Sequence, residues 1–82
     1  MPYIDPIDRP EMDKVVEMMK EVGVLADGDL NYILFKFCKE YVKPSYNTYK
    51  NFLGELTECQ EEIRRRILAP YEDKKIQMNG DV

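Results

Sequence analysis

Histidine and tryptophan are absent from these 82 residues, and cysteine occurs only twice. Without imidazole there is no Ser-His-Asp or Cys-His nucleophile system. Imidazole acid-base chemistry near neutral pH and every zinc site that uses a histidine are excluded with it. Cys38 and Cys59 are too few for a Cys-only zinc site and form no Cys-x-x-Cys pair. Both fall on apolar helix faces, so they are expected as reduced, small core residues rather than a disulfide. Glycine is scarce and isolated, at Gly23, Gly28, Gly54 and Gly80, which leaves no glycine-rich loop to cradle phosphates. No apolar run approaches the ~18 residues of a membrane span. The opening Met1-Pro2-Tyr3-Ile4-Asp5 lacks the basic segment and apolar run of a signal peptide. A soluble cytoplasmic protein is expected. An excess of basic charge is missing too, with 12 Lys and Arg against 16 Asp and Glu and a net charge of −4. That balance argues against a nucleic-acid partner, because binding phosphates needs clustered cations. Arg64, Arg65 and Arg66 are the one basic run, and three adjacent helical residues spread over about 200° rather than forming a patch.

What is present suits a small globular domain. The chain is 44% hydrophobic, 11% aromatic and 34% charged, too apolar to stay disordered, and its length fits residues 1–82 as one domain. Pro2, Pro6 and Pro10 predict an extended arm over residues 1–9. A first helix follows, with Asp8 and Glu11 placed as a capping box and Ile7 placed to staple onto Met12. Met12, Val15, Val16, Met19 and Val22 make its apolar stripe, with Met12 and Met19 read as core, and Gly23 ends it. Asp27-Gly28-Asp29 combines a turn with a cap for a second helix from Leu30 to about Val42. Its apolar face carries Leu30, Ile33, Leu34, Phe37, Cys38 and Tyr41. Pro44 stops that helix and Ser45 caps the next.

The third helix is predicted from Tyr46 to about Ala69. Its stripe runs through Tyr49, Phe52, Leu53, Leu56, Cys59 or Gln60, Ile63 and Ile67, closed by Pro70. At 1.5 Å per residue it reaches about 36 Å, longer than its neighbours, so part of its stripe has no partner within the chain. Gly54 in mid-helix costs about 1 kcal/mol relative to Ala, which predicts a close helix crossing at that point. Tyr71 to Met78 forms one or two further helical turns, with Tyr71 and Ile76 expected to dock back on the helices, and residues 79–82 are a short tail. No period-two alternation is long enough for a sheet. The expectation is therefore an all-α fold, a small antiparallel bundle of three main helices with a short C-terminal helical segment. A core this thin calls for support, and a homodimer is the natural completion.

Carboxylates are the only plentiful groups of catalytic type. Glu55, Glu58 and Glu62 stand three and four apart on one helix, with Glu61 beside them, a spacing that suits Mg²⁺ or Mn²⁺ with oxygen ligands. The plainer reading is a solvated acidic face answered by Arg64 to Arg66. Leu53-Gly54-Glu55-Leu56-Thr57-Glu58 resembles the helix bearing the first Glu-x-x-Glu motif of the all-α nucleotide pyrophosphohydrolases of the MazG type. The resemblance covers about a dozen residues. It implies a divalent-metal-dependent cleavage of nucleoside triphosphates, with Glu55, Glu58 and Glu62 on the metal and Asp29 or Glu61 assisting. The second motif of that family, Glu-x-x-Asp, has no counterpart here, since Glu72 and Asp73 are adjacent and follow Pro70. The missing carboxylates would come from Asp27, Asp29 or a second subunit.

Four of the six tyrosines, Tyr41, Tyr46, Tyr49 and Tyr71, lie near helix junctions, where a large apolar body with a hydroxyl suits a half-buried boundary or an interface. With Phe52 and Leu56, Tyr49 and Tyr71 are the candidate interaction residues. Over nearly the full chain, the opening Pro2-Tyr3-Ile4-Asp5-Pro6, the central Gly28-Asp29-Leu30-Asn31-Tyr32, Glu58-Cys59 and the tail Ala69-Pro70-Tyr71-Glu72-Asp73 through Asn79-Gly80-Asp81-Val82 resemble a family of small conserved prokaryotic and phage proteins of unknown function. That resemblance implies no activity. With no complete catalytic set, the expected role is a non-enzymatic protein-interaction or oligomerisation module. Its expected partners are itself and an unidentified protein, with no cofactor, and Mg²⁺ or Mn²⁺ enters only under the pyrophosphohydrolase reading.

Overall fold

The computed structural model describes residues 3–81. The start of the expected arm at Met1 and Pro2, and the terminal Val82, lie outside the described residues. Among the described residues the fold is all-α. A 3₁₀ turn at Pro6–Asp8 leads to α1 (Arg9–Val22), α2 (Gly28–Tyr41), α3 (Tyr46–Ile63), a π turn at Arg64–Leu68 and α4 (Ala69–Asn79), with no strand. Two units make up the described chain, Tyr3–Tyr49 and residues 50–81.

In the first unit the extended arm is shorter than expected. Asp8 N–H donates to Asp5 O at 2.9 Å, so the backbone turns at Pro6 and winds directly into α1, and Arg9 Nε reaches back to Ile4 O at 3.2 Å. The capping box fails for the same reason. Asp8 already has helical dihedrals, φ −90° and ψ −12°, and makes no side-chain cap, whereas a capping residue needs extended backbone. Glu11 instead pairs with Lys14 at 3.0 Å. Ile7 stays 84% exposed, so the staple onto Met12 is not made. The far end of α1 follows the sequence. Gly23, at φ 81° and ψ 40°, donates to Met19 O and Lys20 O, and Val24 N–H also reaches Met19 O at 3.0 Å. This is a Schellman closure, which requires the positive φ that glycine supplies.

Asp27 caps α2 by accepting from Asp29 N–H at 3.2 Å, and Asp29 Oδ2 accepts from Leu25 N–H at 3.2 Å. The pair lets the helix start at Gly28, two residues before Leu30. Val42, at φ −80° and ψ 126°, ends it ahead of Pro44, which disfavours helical dihedrals before it. Ser45 caps α3 as expected. Its Oγ accepts from Thr48 N–H at 3.1 Å, and the Thr48 hydroxyl bonds back to Lys43 O and Ser45 O.

No described residue is buried. The half-buried apolar residues of the first unit are Met19, Val24, Leu30, Ile33, Leu34, Cys38 and Val42. Met12, expected as core, is exposed, as are Val15, Val16 and Val22. Phe37 and Tyr41, expected on the inner face of α2, are exposed too, with their rings stacked at 5.6 Å.

The second unit is helical from Lys50 to Asn79, and three expectations are corrected there. Pro70 does not close the helix. It lies in the first turn of α4, just after a π turn in which Ala69 N–H donates to Arg64 O. In an unbroken α-helix the proline ring would meet the carbonyl four residues back. Widening the preceding turn gives it room. Gly54 is no crossing point within the chain, because a side-chain carbon added there meets nothing within 4 Å. Cys59 is exposed rather than core, and both cysteines are thiols. Gly80, at φ 82°, donates to Ile76 O at 2.8 Å and ends α4.

Candidate interaction surface

Glu55, Glu58 and Glu62, and Phe52, Leu56 and Tyr71, lie along the helical run of the second unit. On the acidic side, Glu62 is drawn into an arginine clamp. Arg65 Nη2 donates to its two carboxylate oxygens at 2.8 and 3.0 Å, and Arg66 Nη1 stands at 3.8 Å. One guanidinium nitrogen thus spans both carboxylate oxygens, a charge-assisted contact stronger than a neutral hydrogen bond. Arg66 stands four residues on and Arg65 three, and the closer contact comes from Arg65. Glu62 is half-buried under these partners. Glu55, Glu58 and Glu61 are exposed, and among the described residues no group of three or more Cys, Asp or Glu side chains stands together so as to hold a metal ion. Asp27 and Asp29 are engaged in capping the first turn of α2.

On the apolar side, Phe52 and Leu56 are half-buried, and Ile63, Ile67, Leu68, Tyr71 and Met78 are exposed. Cys59, Glu62, Ile63, Arg66 and Ile67 line a shallow groove along it. The π turn explains how this stripe continues. From Ile63 to Ile67 to Tyr71 the spacing is four and four, whereas two α turns take about 7.2 residues, so a plain α-helix would swing Tyr71 about 80° off the face. A turn closed five residues back absorbs about one extra residue. Tyr71 and Met78 thereby stay in line with Leu56 and Ile63. Tyr71 is 57% exposed with Lys75 Nζ 5.7 Å from its ring, and Ile76 is exposed as well. Tyr49, the fourth candidate, is the last residue of the first unit and 40% exposed.

One further cluster was not anticipated from the sequence. On α2, Lys36 Nζ sits 5.7 Å from the ring centre of Tyr32 and 3.9 Å from Glu40. The Tyr32 hydroxyl first, then the Glu40 carboxylate, hold its ammonium above the usual 10.5. Its spacing of four on each side, Tyr32, Lys36 and Glu40, is the signal that was available.

The family described as Domain of unknown function (DUF6899) matches residues 1–82. The chain belongs to this family. Membership in DUF6899 agrees with the resemblance to a family of unknown function and brings no chemistry to the site. No curated protein and no solved structure matches the chain at a significant level. Among the described residues of this DUF6899 member, no helix is long and apolar enough to cross a membrane.

Proposed function

We propose that this DUF6899 chain is a self-associating helical interaction module, working through protein contacts rather than catalysis. The observation that carries the reading is the absence of any buried residue among those described, while apolar stripes on α1, α3 and α4 stay exposed. Helices draw most of their stability in water from packing such stripes. The lengths support a second chain as the cover. Residues 50–79 extend about 45 Å, whereas α1 and α2, of 14 residues each, extend about 21 Å. A stripe of that length, left exposed, suits an external partner, and a two-fold homodimer is the commonest way to supply one.

Sedimentation equilibrium at micromolar concentration tests the reading. A mass twice 9.7 kDa is expected, and Ile67→Glu, which puts a charge into the exposed stripe, should shift the population toward monomer. A wild-type chain of 9.7 kDa at all concentrations would refute it.

A further inference from the structure

The helical run of the second unit carries opposite charge at its two ends. Residues 50–63 hold Glu55, Glu58, Glu61 and Glu62 against Lys50, a net −3, while residues 64–79 hold Arg64, Arg65, Arg66, Lys74 and Lys75 against Glu72 and Asp73, a net +3. Parallel pairing of two such runs sets acid against acid and base against base. Antiparallel pairing sets each acidic half against the partner's basic half.

The flank of the apolar stripe shows the same order in finer detail. Glu55, Glu62, Arg66 and Lys74 follow one another at steps of seven, four and eight, which with the π turn keeps them along one side of the stripe. The Glu62–Arg66 contact at 3.8 Å shows that the two central members share that side. A two-fold axis perpendicular to an antiparallel helix pair leaves each flank facing the same flank of the partner. About an axis near residue 64, Glu55 then meets Lys74 of the second copy, and Glu62 meets Arg66. The same axis sets Ile63 against the partner's π turn.

We infer that a second copy of this chain docks antiparallel along residues 50–79, with the two-fold axis crossing the start of the π turn near Arg64. This rests on the self-association proposed above and names its geometry. The π turn gains a role in it. By holding Ile67, Tyr71 and Met78 in line with Leu56 and Ile63, it keeps one apolar seam continuous across the symmetry axis. Complementary charge along such a seam fixes direction more than it adds affinity.

Distances between spin labels on the two chains of a dimer test the inference. With Cys38→Ala and Cys59→Ala as background, single labels go at Asn51→Cys, Ala69→Cys and Gln77→Cys, which lie away from the stripe. Antiparallel docking offsets paired labels along the axis by about 40 Å at 51 and at 77 and by only about 14 Å at 69. The separation should therefore be longest at both ends and shortest near the centre. Equal separations at all three positions mean parallel docking and overturn the inference, while leaving self-association intact. No interchain distance, together with a 9.7 kDa mass for the background protein, overturns both.

Discussion

Side-chain chemistry in this chain is dominated by what arginine does to glutamate. Three carboxylates at helical spacing read first as a solvated face and second as a metal site, and the distinction turns on one residue. Glu62 accepts from Arg65 Nη2 at both carboxylate oxygens within 3.0 Å, so binding a divalent ion through it means breaking this ion pair. Millimolar Mn²⁺ against EDTA is accordingly expected to leave the melting temperature unchanged, since only a ligand of the folded state raises it. A clear rise that disappears in Glu58→Gln would restore the metal reading. The competition at Glu62 was hard to see in sequence. Arg64, Arg65 and Arg66 are equivalent in composition, and which of them reaches back depends on the rotation per residue, which the π turn alters. The caps at Gly23, Asp27 and Ser45 were legible because each is closed by hydrogen bonds to residues at most five positions away. The cap at Asp8 was misread because Pro6 starts a 3₁₀ turn that makes Asp8 helical.

Among the elements, the run from α3 through α4 differs most from the sequence expectation, and the difference has one physical source. Pro70 is a strong helix breaker only where the turn before it is tight. The wider turn at Arg64–Leu68 removes that restriction and lengthens the helix to Asn79. A step of four and four from Ile63 to Tyr71 was visible in the sequence as a break in the three-four rhythm, yet it reads equally as a helix end. Helix existence, the Gly23 and Pro44 boundaries and the apolar stripes were legible, since periodicity reports them directly. Which stripe faces what was not legible, because that depends on partners rather than spacing. Gly54 illustrates the point. It was expected under a crossing helix, and nothing stands within 4 Å of its missing side chain. In the antiparallel pairing it also lies opposite the seam. Gly54→Ala should therefore stabilise the protein by about 0.5–1 kcal/mol through helix propensity alone. A melting temperature that falls instead would reveal a close approach to this face.

For the whole molecule, the question is what supplies the core that the described residues lack. Folding must offset a conformational entropy of about 1–2 kcal/mol per ordered backbone residue, and exposed stripes contribute little toward it. Hydrogen-bonded turns and exposed ion pairs such as Lys14–Glu11, Lys20–Glu17 and Lys36–Glu40 do not close that gap, because surface pairs are worth at most about 1 kcal/mol each. On the self-association proposed above, assembly is coupled to folding rather than added after it. The consequence is measurable without knowing any biological partner. The melting temperature should rise with protein concentration, as it does when only an associated state is folded. Dilution over two decades should lower it by several degrees and reduce helical circular dichroism before heating begins. Ile67→Glu should shift the same curve toward higher concentration, and Glu55→Gln should weaken it less, since that flank directs the pairing more than it stabilises it. A melting temperature independent of concentration would show that the chain builds its core alone, and the exposed stripes would then need a different explanation.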